Sequence, residues 1–483
     1  MRRFTKIAAA TALGLALACV LPNPSYAQAK GQKLSYNPVV TPNGATAPWE
    51  MVDGVKEFRL SLDIIKWEMA EGFVIQAWGY NGRTPGPTIE VVEGDRVRLL
   101  VTNNLPESTA VHWHGVLLPN GMDGVQGLTQ PGIPPGDTFV YEFTIDQPAG
   151  TMMYHSHGDE MLQIGMGVMG FFIIHPRGSA GKRVDRDFAI FLNEWAIEPG
   201  RSTPDTNVMT DFNIFTFNSR VYPGTDPLVV KTGDKVRIRI ANVAQDTHPL
   251  HVHGHSGRIT GTDGGPVPRS AQYPETTVLV APGQTRDFEF VADAPGDWPF
   301  HCHKRHHPMN AMGHNLPITL GVDQSDVEEE IRELVPGYMA MGETGMGEHA
   351  EMRMELPPNT LPMMGGDGPF GAIAMGGMFT ILKVRDELSE YTDEAAGWYQ
   401  HPEGTVAYSI HPPVEAPATT MWVCPMHSEI TSTVDGARCS LCGMDLKPME
   451  PMEPKHEGMK DEGMKDEGMK HDGMKHDGMD HKH

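Results

Sequence analysis

The 483-residue chain is predicted to be all-β and built on two copies of one β-sandwich, and three observations carry this. Short runs that alternate polar and apolar residues, RVRLLV, FVYEFTI, RIRI and DFEFVA, are separated by Gly, Pro, Asn and Asp turns, as half-buried strands are. VVEGDRVRLLVTN, with Gly94 and Asp95, recurs 139 residues on as VVKTGDKVRIRIAN, with Gly233 and Asp234. PPGDTFVYEFTIDQPAGTMMYHSH recurs as APGQTRDFEFVADAPGDWPFHCH, with HCH lying 146 residues beyond HSH. One unit is therefore present twice, and neither copy shows helical periodicity.

Ahead of the first copy, MRRFTKIAAATALGLALACVLPNPSYAQA has a basic start, an apolar core and the small-residue site Ser25-Tyr26-Ala27. It reads as a secretory signal peptide over 1–27, cleaved after Ala27. Arg2 and Arg3 form only a partial twin-arginine motif, which leaves the export route open, and Cys19 lies in no good lipobox. Periplasmic export without membrane insertion is expected, because no later segment is apolar enough to span a bilayer. Loss of the leader removes Arg2, Arg3 and Lys6 and no acid, moving the formal charge from -24 to -27. Such acidity argues against nucleic acid and anionic membranes; it suits cations, and equally suits plain solubility.

Both units carry His-x-His pairs: His112 and His114 in HWHG, His155 and His157 in HSHG, His251 and His253 in HVHG, His301 and His303 in HCHKRHHPMNAM. Alternation along a strand sends both rings of a pair to one side, giving eight convergent imidazoles. Cys302 sits between two of them, with His307 and Met312 downstream and His248 upstream. Two imidazoles, a thiolate and a weak thioether are the ligand set of a blue-copper electron-transfer site.

These four blocks resemble the copper-ligand signatures of multicopper oxidases. The resemblance implies two cupredoxin-like Greek-key sandwiches, about 50–180 and 184–322. It also implies four coppers per oxidase unit: a type 1 copper held by His248, Cys302, His307 and Met312, and a trinuclear cluster held by the eight paired histidines. His112 and His251 would fall to type 2 and the other six to type 3. Electrons would pass through Cys302 into His301 and His303, and dioxygen would be reduced to water. Asp123, in GMDGV, matches the family's proton donor near type 2 copper. After the HCH block the family often carries an acid, where this chain has Lys304, Arg305 and Pro308. Asp159 and Glu160 are the alternative proton donors, or else solvated loop acids.

Overlaying the copies places Thr109 opposite His248, Ser156 opposite Cys302, Met161 opposite His307 and Met166 opposite Met312. Only the second unit therefore keeps a blue-copper set. The short stretch between His157 and His248 leaves no room for a middle domain, which resembles the two-domain oxidases and implies a homotrimer with the cluster between neighbouring subunits. A two-domain nitrite reductase would instead carry its blue copper in the first unit.

Residues 323–395 are expected to form a short helix, SDVEEEIRELV, and a methionine-rich extension. Met339, Met341, Met346, Met352, Met354, Met363, Met364, Met375 and Met378 suit either cuprous copper or adaptable packing. MFTILKVRDE then reads as a strand returning to the fold. A module over 419–449 offers Cys424, His427, Cys439 and Cys442 at the spacing of a small tetrahedral site for zinc or copper. It resembles the heavy-metal-binding domain of bacterial copper and silver efflux components, which makes such components candidate partners. Met426 and Met444 are alternative soft ligands, and a Cys439–Cys442 disulfide is the competing arrangement. The tail over 450–483, KHEGMKDEGMKDEGMKHDGMKHDGMDHKH, reads as disordered, either a copper collector or a charge-balanced solvating segment.

The function expected is oxidation of cuprous copper, or of another small reductant, coupled to dioxygen reduction in copper tolerance. A laccase-like phenol oxidase and a copper-sequestering protein are the alternatives.

Overall fold

The computed structural model describes residues 34–178, 183–198, 201–210, 212–310, 359, 361, 365–410, 422–426, 431–432, 438–439 and 442–448. The leader, Met312, the methionines from Met339 to Met364, the expected helix, His427 and the tail lie outside them. The chain divides into two units, Met1–His401 and Pro402–His483. Among the described residues no helix is long and apolar enough to cross a membrane.

In the first sandwich one sheet holds β1 (Trp49–Val52), β2 (Val55–Ala70), β3 (Phe73–Tyr80), β5 (Arg96–Asn103) and β7 (Thr138–Thr144). The other holds β4 (Gly86–Val92), β6 (Val111–His114), β8 (Gly150–Ser156) and β9 (Met169–His175). In the second, one sheet takes β10 (Arg186–Trp195), β11 (Ile214–Phe217), β13 (Lys235–Asn242), β15 (Gly257–Thr262), β16 (Gly265–Pro266), β17 (Pro274–Glu275) and β19 (Thr285–Val291). Its partner takes β12 (Leu228–Lys231), β14 (His248–Val252), β18 (Thr277–Val280) and β20 (Gly296–Cys302), together with a strand from far downstream. After the small hairpin of β21 (Asp367–Gly368) and β22 (Gly371–Ala372), that strand is β23 (Phe379–Arg385). It lies between β12 and β20 and is buried at every position. The second sandwich thus draws a strand from beyond residue 322, where the repeat alone had closed it.

Alternation explains which residues meet. In β5 Val97, Leu99 and Val101 are buried while the residues between them are partly exposed. In β9 every residue is buried, because its two faces enter different cores. Phe172 and Ile174 pack inside the first sandwich, whereas Met169, Phe171 and Ile173 pack against Phe191, Trp195 and Ala189 of the second. β10 does the same in reverse, with Phe188, Ile190 and Leu192 in its own core. Each large side chain so buried contributes about 1.5–3 kcal/mol, so the shared layer binds the two sandwiches firmly.

A buried ion cluster pins the same interface. Asp187 on β10 accepts from Arg239 on β13 through Nε at 2.9 Å and Nη2 at 3.0 Å, and Arg237 also donates to it. Arg239 Nη1 reaches Thr151 Oγ1 on β8 at 2.6 Å, which crosses between sandwiches. Burial alone would raise the Asp187 carboxyl, but the two guanidiniums hold it well below the ordinary range.

One short helix interrupts the strands of the first unit, within an all-β architecture. α1 (Glu160–Gly165) begins where the Asp159 side chain accepts from Leu162 N at 3.1 Å, a local N-cap. It carries Gln163 into the core, which corrects the overlay. Gln163, not Met161, occupies the place of the third ligand, where its Oε1 accepts from Thr109 Oγ1 at 2.6 Å and also from Ser156 Oγ. In the first unit hydrogen-bonding side chains fill the position that a thiol and two imidazoles hold in the second.

In the C-terminal unit β24 (Trp422–Val423) pairs with β25 (Thr431–Ser432) and β26 (Lys447–Pro448), and Trp422 and Leu446 pack against Cys424 and Cys439.

Candidate metal centre

Sheet register builds the site twice. On β6 and β8 His112 stands opposite His155 and Val111 opposite Ser156. On β14 and β20 His251 stands opposite His301 and Leu250 opposite Cys302. Two imidazole quartets result. Ring centroids of His112 lie 5.4 Å from His114 and His155 and 5.5 Å from His157; those of His251 lie 4.6 Å from His253, 5.9 Å from His301 and 5.6 Å from His303. Among the described residues no ring contact joins one quartet to the other.

Hydrogen bonds select which ring nitrogens stay free. His155 Nδ1 donates to Ser156 O at 2.9 Å and His301 Nδ1 to Cys302 O at 2.8 Å, the same bond in both repeats. His112 Nδ1 donates to Asp123 O at 2.8 Å, with the Asp123 carboxylate 3.5 Å away, and His251 Nδ1 donates to Thr276 O at 2.9 Å. Each bond leaves Nε2 for another partner, the arrangement that orients a metal-ligating histidine. His114 Nδ1 and His155 Nε2 close to 3.2 Å, and His253 Nε2 and His301 Nε2 to 3.1 Å.

Beside the second quartet lies a buried three-donor group. Cys302 Sγ is 3.4 Å from His307 Nδ1 and 3.8 Å from His248 Nδ1, and the two Nδ1 atoms are 3.0 Å apart. Burial lowers His248 to about 4 and depresses His307 still further, so both rings are neutral donors at neutral pH. Burial pushes the Cys302 thiol up to about 11, so it takes a bound cation to hold the thiolate. One soft donor and two imidazoles facing a common point fit copper, and the converging rings of His112, His114 and His155 in the first quartet fit it as well.

The surroundings supply acids that the motif lacks. Lys304 pairs with Asp246 at 2.8 Å, and that carboxylate lies 3.6 Å from His307 Nε2. Glu194 Oε2 lies 3.9 Å from His248 Nε2, and burial pushes its carboxyl up to about 7. Phe215 stacks on His307 with centroids 3.9 Å apart. Neither Asp246 nor Glu194 was among the sequence candidates. Asp246 stands two residues before His248, a signal within reach; Glu194 stands on β10 and needed the fold. Of the candidate proton donors, Glu160 Oε1 is 3.1 Å from His157 Nε2, while the Asp159 carboxylate caps α1.

Downstream chain closes over that turn. Cys302 N donates to Met378 O and Met378 N to His307 O, both at 3.1 Å, and Asn310 Oδ1 accepts from Gly377 N at 2.8 Å. Gly377 has φ 57° and a Cβ there would meet His307 O at 2.1 Å, so only glycine permits the approach. Met378 is fully buried and Met375 packs against Tyr222 and Phe379, so these two methionines are core residues.

A cavity of about 570 Å³ opens beside the first quartet, bounded by α1, residues 193–196 and 204–212, and the loops at 243–245 and 282–283. In the C-terminal unit Cys424, Cys439 and Cys442 gather their sulfurs, with the Sγ atoms of Cys424 and Cys442 3.6 Å apart. Such a group fits a thiophilic metal.

Family models described as multicopper oxidase match residues 63–179 and 198–320, and one described as heavy metal binding domain matches 421–449. The blue copper oxidase of Nitrosomonas europaea superposes with a TM-score of 0.52 at 27% identity, covering 71% of this chain and 91% of that one. Copper resistance protein A of Escherichia coli is 46% identical over 123 residues, 26% of this chain and 20% of its own length. Laccase-1 of Botryotinia fuckeliana is 34% identical over 240 residues, 47% of this chain and 41% of its own. The chain spans less than half the length of the curated relatives it matches.

Proposed function

Because the chain belongs to the multicopper oxidase family, we propose that it oxidises cuprous copper and delivers the electrons to dioxygen. Four cuprous ions, one dioxygen and four protons would give four cupric ions and two waters. The observation that carries this is the junction at Cys302. Its thiol converges with His248 and His307, while its sequence neighbours His301 and His303 belong to a histidine quartet.

In this reading His248, Cys302 and His307, with Met312, hold type 1 copper. His112, His114, His155, His157, His251, His253, His301 and His303 hold one type 2 and two type 3 coppers. Bound copper supplies one-electron exchange at the first centre and dioxygen reduction at the second. The chain supplies the rest. The backbone of Cys302 joins the two donor sets covalently, and the carbonyls of Asp123, Ser156, Thr276 and Cys302 fix ring orientation. Asp123 and Glu160 would hold protons beside His112 and His157.

Each quartet is half of an eight-histidine set, so the reading includes a ring of three copies in which the first sandwich of one meets the second of the next. A cuprous substrate is supported by the methionine-rich stretch, the C-terminal thiol group and the methionine-histidine tail, and the leader supports a periplasmic setting. The C-terminal module would bind zinc or copper through Cys424, His427, Cys439 and Cys442, with copper-efflux components as partners.

Similarity to a laccase favours phenol oxidation as the second reading. Dioxygen uptake by the full chain, with cuprous copper and with a phenol, separates the two. Uptake with cuprous copper is expected, lost in Cys302→Ser while most bound copper remains. Uptake with the phenol alone would transfer the assignment to a laccase, and copper binding without uptake would make the chain a sequestering protein.

A further inference from the structure

We propose that Gln163 is a positioning residue for the first histidine quartet, its side-chain amide tying together the two His-x-His strands and the helix that presents Glu160. What the quartet is for rests on the oxidase reading above. Thr109 stands three residues before His112, as His248 stands three before His251, and Ser156 stands between His155 and His157 as Cys302 stands between His301 and His303. In the second sandwich these places hold donors that converge, with His307, on a common point. In the first they hold two hydroxyls, and the amide of the fully buried Gln163 joins them.

Every hydrogen-bonding capacity of that amide is used. Oε1 accepts from Thr109 Oγ1 at 2.6 Å and from Ser156 Oγ, while Nε2 donates to Ser108 O at 3.0 Å and to Glu107 Oε1 at 2.6 Å. A carbonyl such as that of Ser108 can only accept, so the amide has one orientation. A buried network satisfied in this way fixes one arrangement, because any other leaves a polar group without a partner and out of reach of water.

α1 needs such a fixture. Six residues do not hold a helix by themselves. The Glu160 side chain is 47% exposed, so packing does not aim it. Glu160 and Gln163 are three apart and so are neighbours on the helix surface. The main chain follows the same joint, with Val168 N donating to Gln163 O at 3.0 Å and Ser156 N to Val168 O at 3.3 Å. The Asp159 cap satisfies one amide at the start of α1. Gln163 is the contact that fixes the rotation of the helix about its own axis, and that rotation decides whether Glu160 Oε1 lies 3.1 Å from His157 Nε2.

The test uses the copper-loaded full chain and a double-mutant cycle of Gln163→Met, which keeps side-chain length and removes all four bonds, with Glu160→Gln. Retained blue absorbance from Cys302, in the other sandwich, reports folding. Gln163→Met is expected to slow reoxidation of the reduced protein by dioxygen about ten- to a hundredfold. It should also shift the paramagnetic resonance of the copper outside the blue site, while anaerobic bleaching of the blue colour by substrate keeps its rate. Glu160→Gln, about a hundredfold slower alone, is expected to add no more than about twofold in the Gln163→Met background. Equal costs of Glu160→Gln in both backgrounds, or an unshifted resonance, overturn the proposal. Should Gln163→Met lose its blue colour, Thr109→Val, which removes one of the four bonds, takes its place in the cycle with the same non-additivity expected. If the unmodified chain consumes no dioxygen, the parent reading fails instead, and hydrogen exchange decides whether the amide holds the helix. Gln163→Met should then speed exchange at the α1 amides with those of β13 unchanged, and an unchanged α1 overturns the proposal.

Discussion

At Cys302 one residue belongs to two groups, and its neighbours show how much a motif reveals. That the paired histidines draw together, and Cys302 with His248 and His307, was legible because alternation and the spacing around Cys302 dictate it; that the eight form two quartets within one chain was not. Asp246, two residues before His248, was within reach of the sequence; Glu194 was not, since a carboxylate that approaches an imidazole from another strand leaves no pattern there. Asp159 and Glu160 looked equivalent there, and geometry separates them. Glu160→Gln is expected to slow dioxygen reduction about a hundredfold at unchanged copper content, as loss of a positioned proton group does. Asp159→Ala should instead leave turnover within about twofold and cost about 1 kcal/mol in denaturant unfolding, the value of a helix cap. Equal losses of turnover in the two variants would restore Asp159 as a proton donor. Asp123→Asn should lower turnover by about ten- to a hundredfold, the range for partners of metal-ligating histidines, as read by oxygen electrode on copper-matched samples.

Elements carry what single residues cannot. β9 and β10 read as continuous apolar runs because each face enters a different core, and the repeat predicted both sandwiches while leaving their shared layer unseen. α1 was missed because six residues are too few to show a helical period. The ion cluster on β10 and β13 makes this layer sensitive to acid. The Asp187 carboxyl is depressed in the fold, so its contribution is complete above the ordinary aspartate pKa, about 4, and is lost as pH falls below it. Thermal unfolding between pH 7 and 3 should therefore show a decline that Asp187→Asn removes, with the variant about 3–5 kcal/mol less stable at pH 7 because Arg239 loses its buried partner. A parallel decline in both proteins would assign acid sensitivity elsewhere.

For the whole molecule, the proposed ring of three would make assembly part of the site, because each chain carries two separate histidine quartets. Scattering or sedimentation of the copper-loaded protein should give about three times the mass of one exported chain, and turnover should fall on dilution while blue absorbance persists. A monomer with full turnover would exclude the shared cluster. A chain ending at His401 should keep its blue colour, because the division between units falls there and β23 is retained. One ending before Met339 should not fold its second sandwich. The same late strand sets an order of events during synthesis. β12 and β20 can close around β23 only once Arg385 has emerged, long after Leu228 and Cys302. Pairing so distant in sequence forms slowly. A growing chain would therefore present its paired histidines and the thiol of Cys302 to the surrounding medium before the strand that locks them had arrived, and the interval would be set by the rate of synthesis.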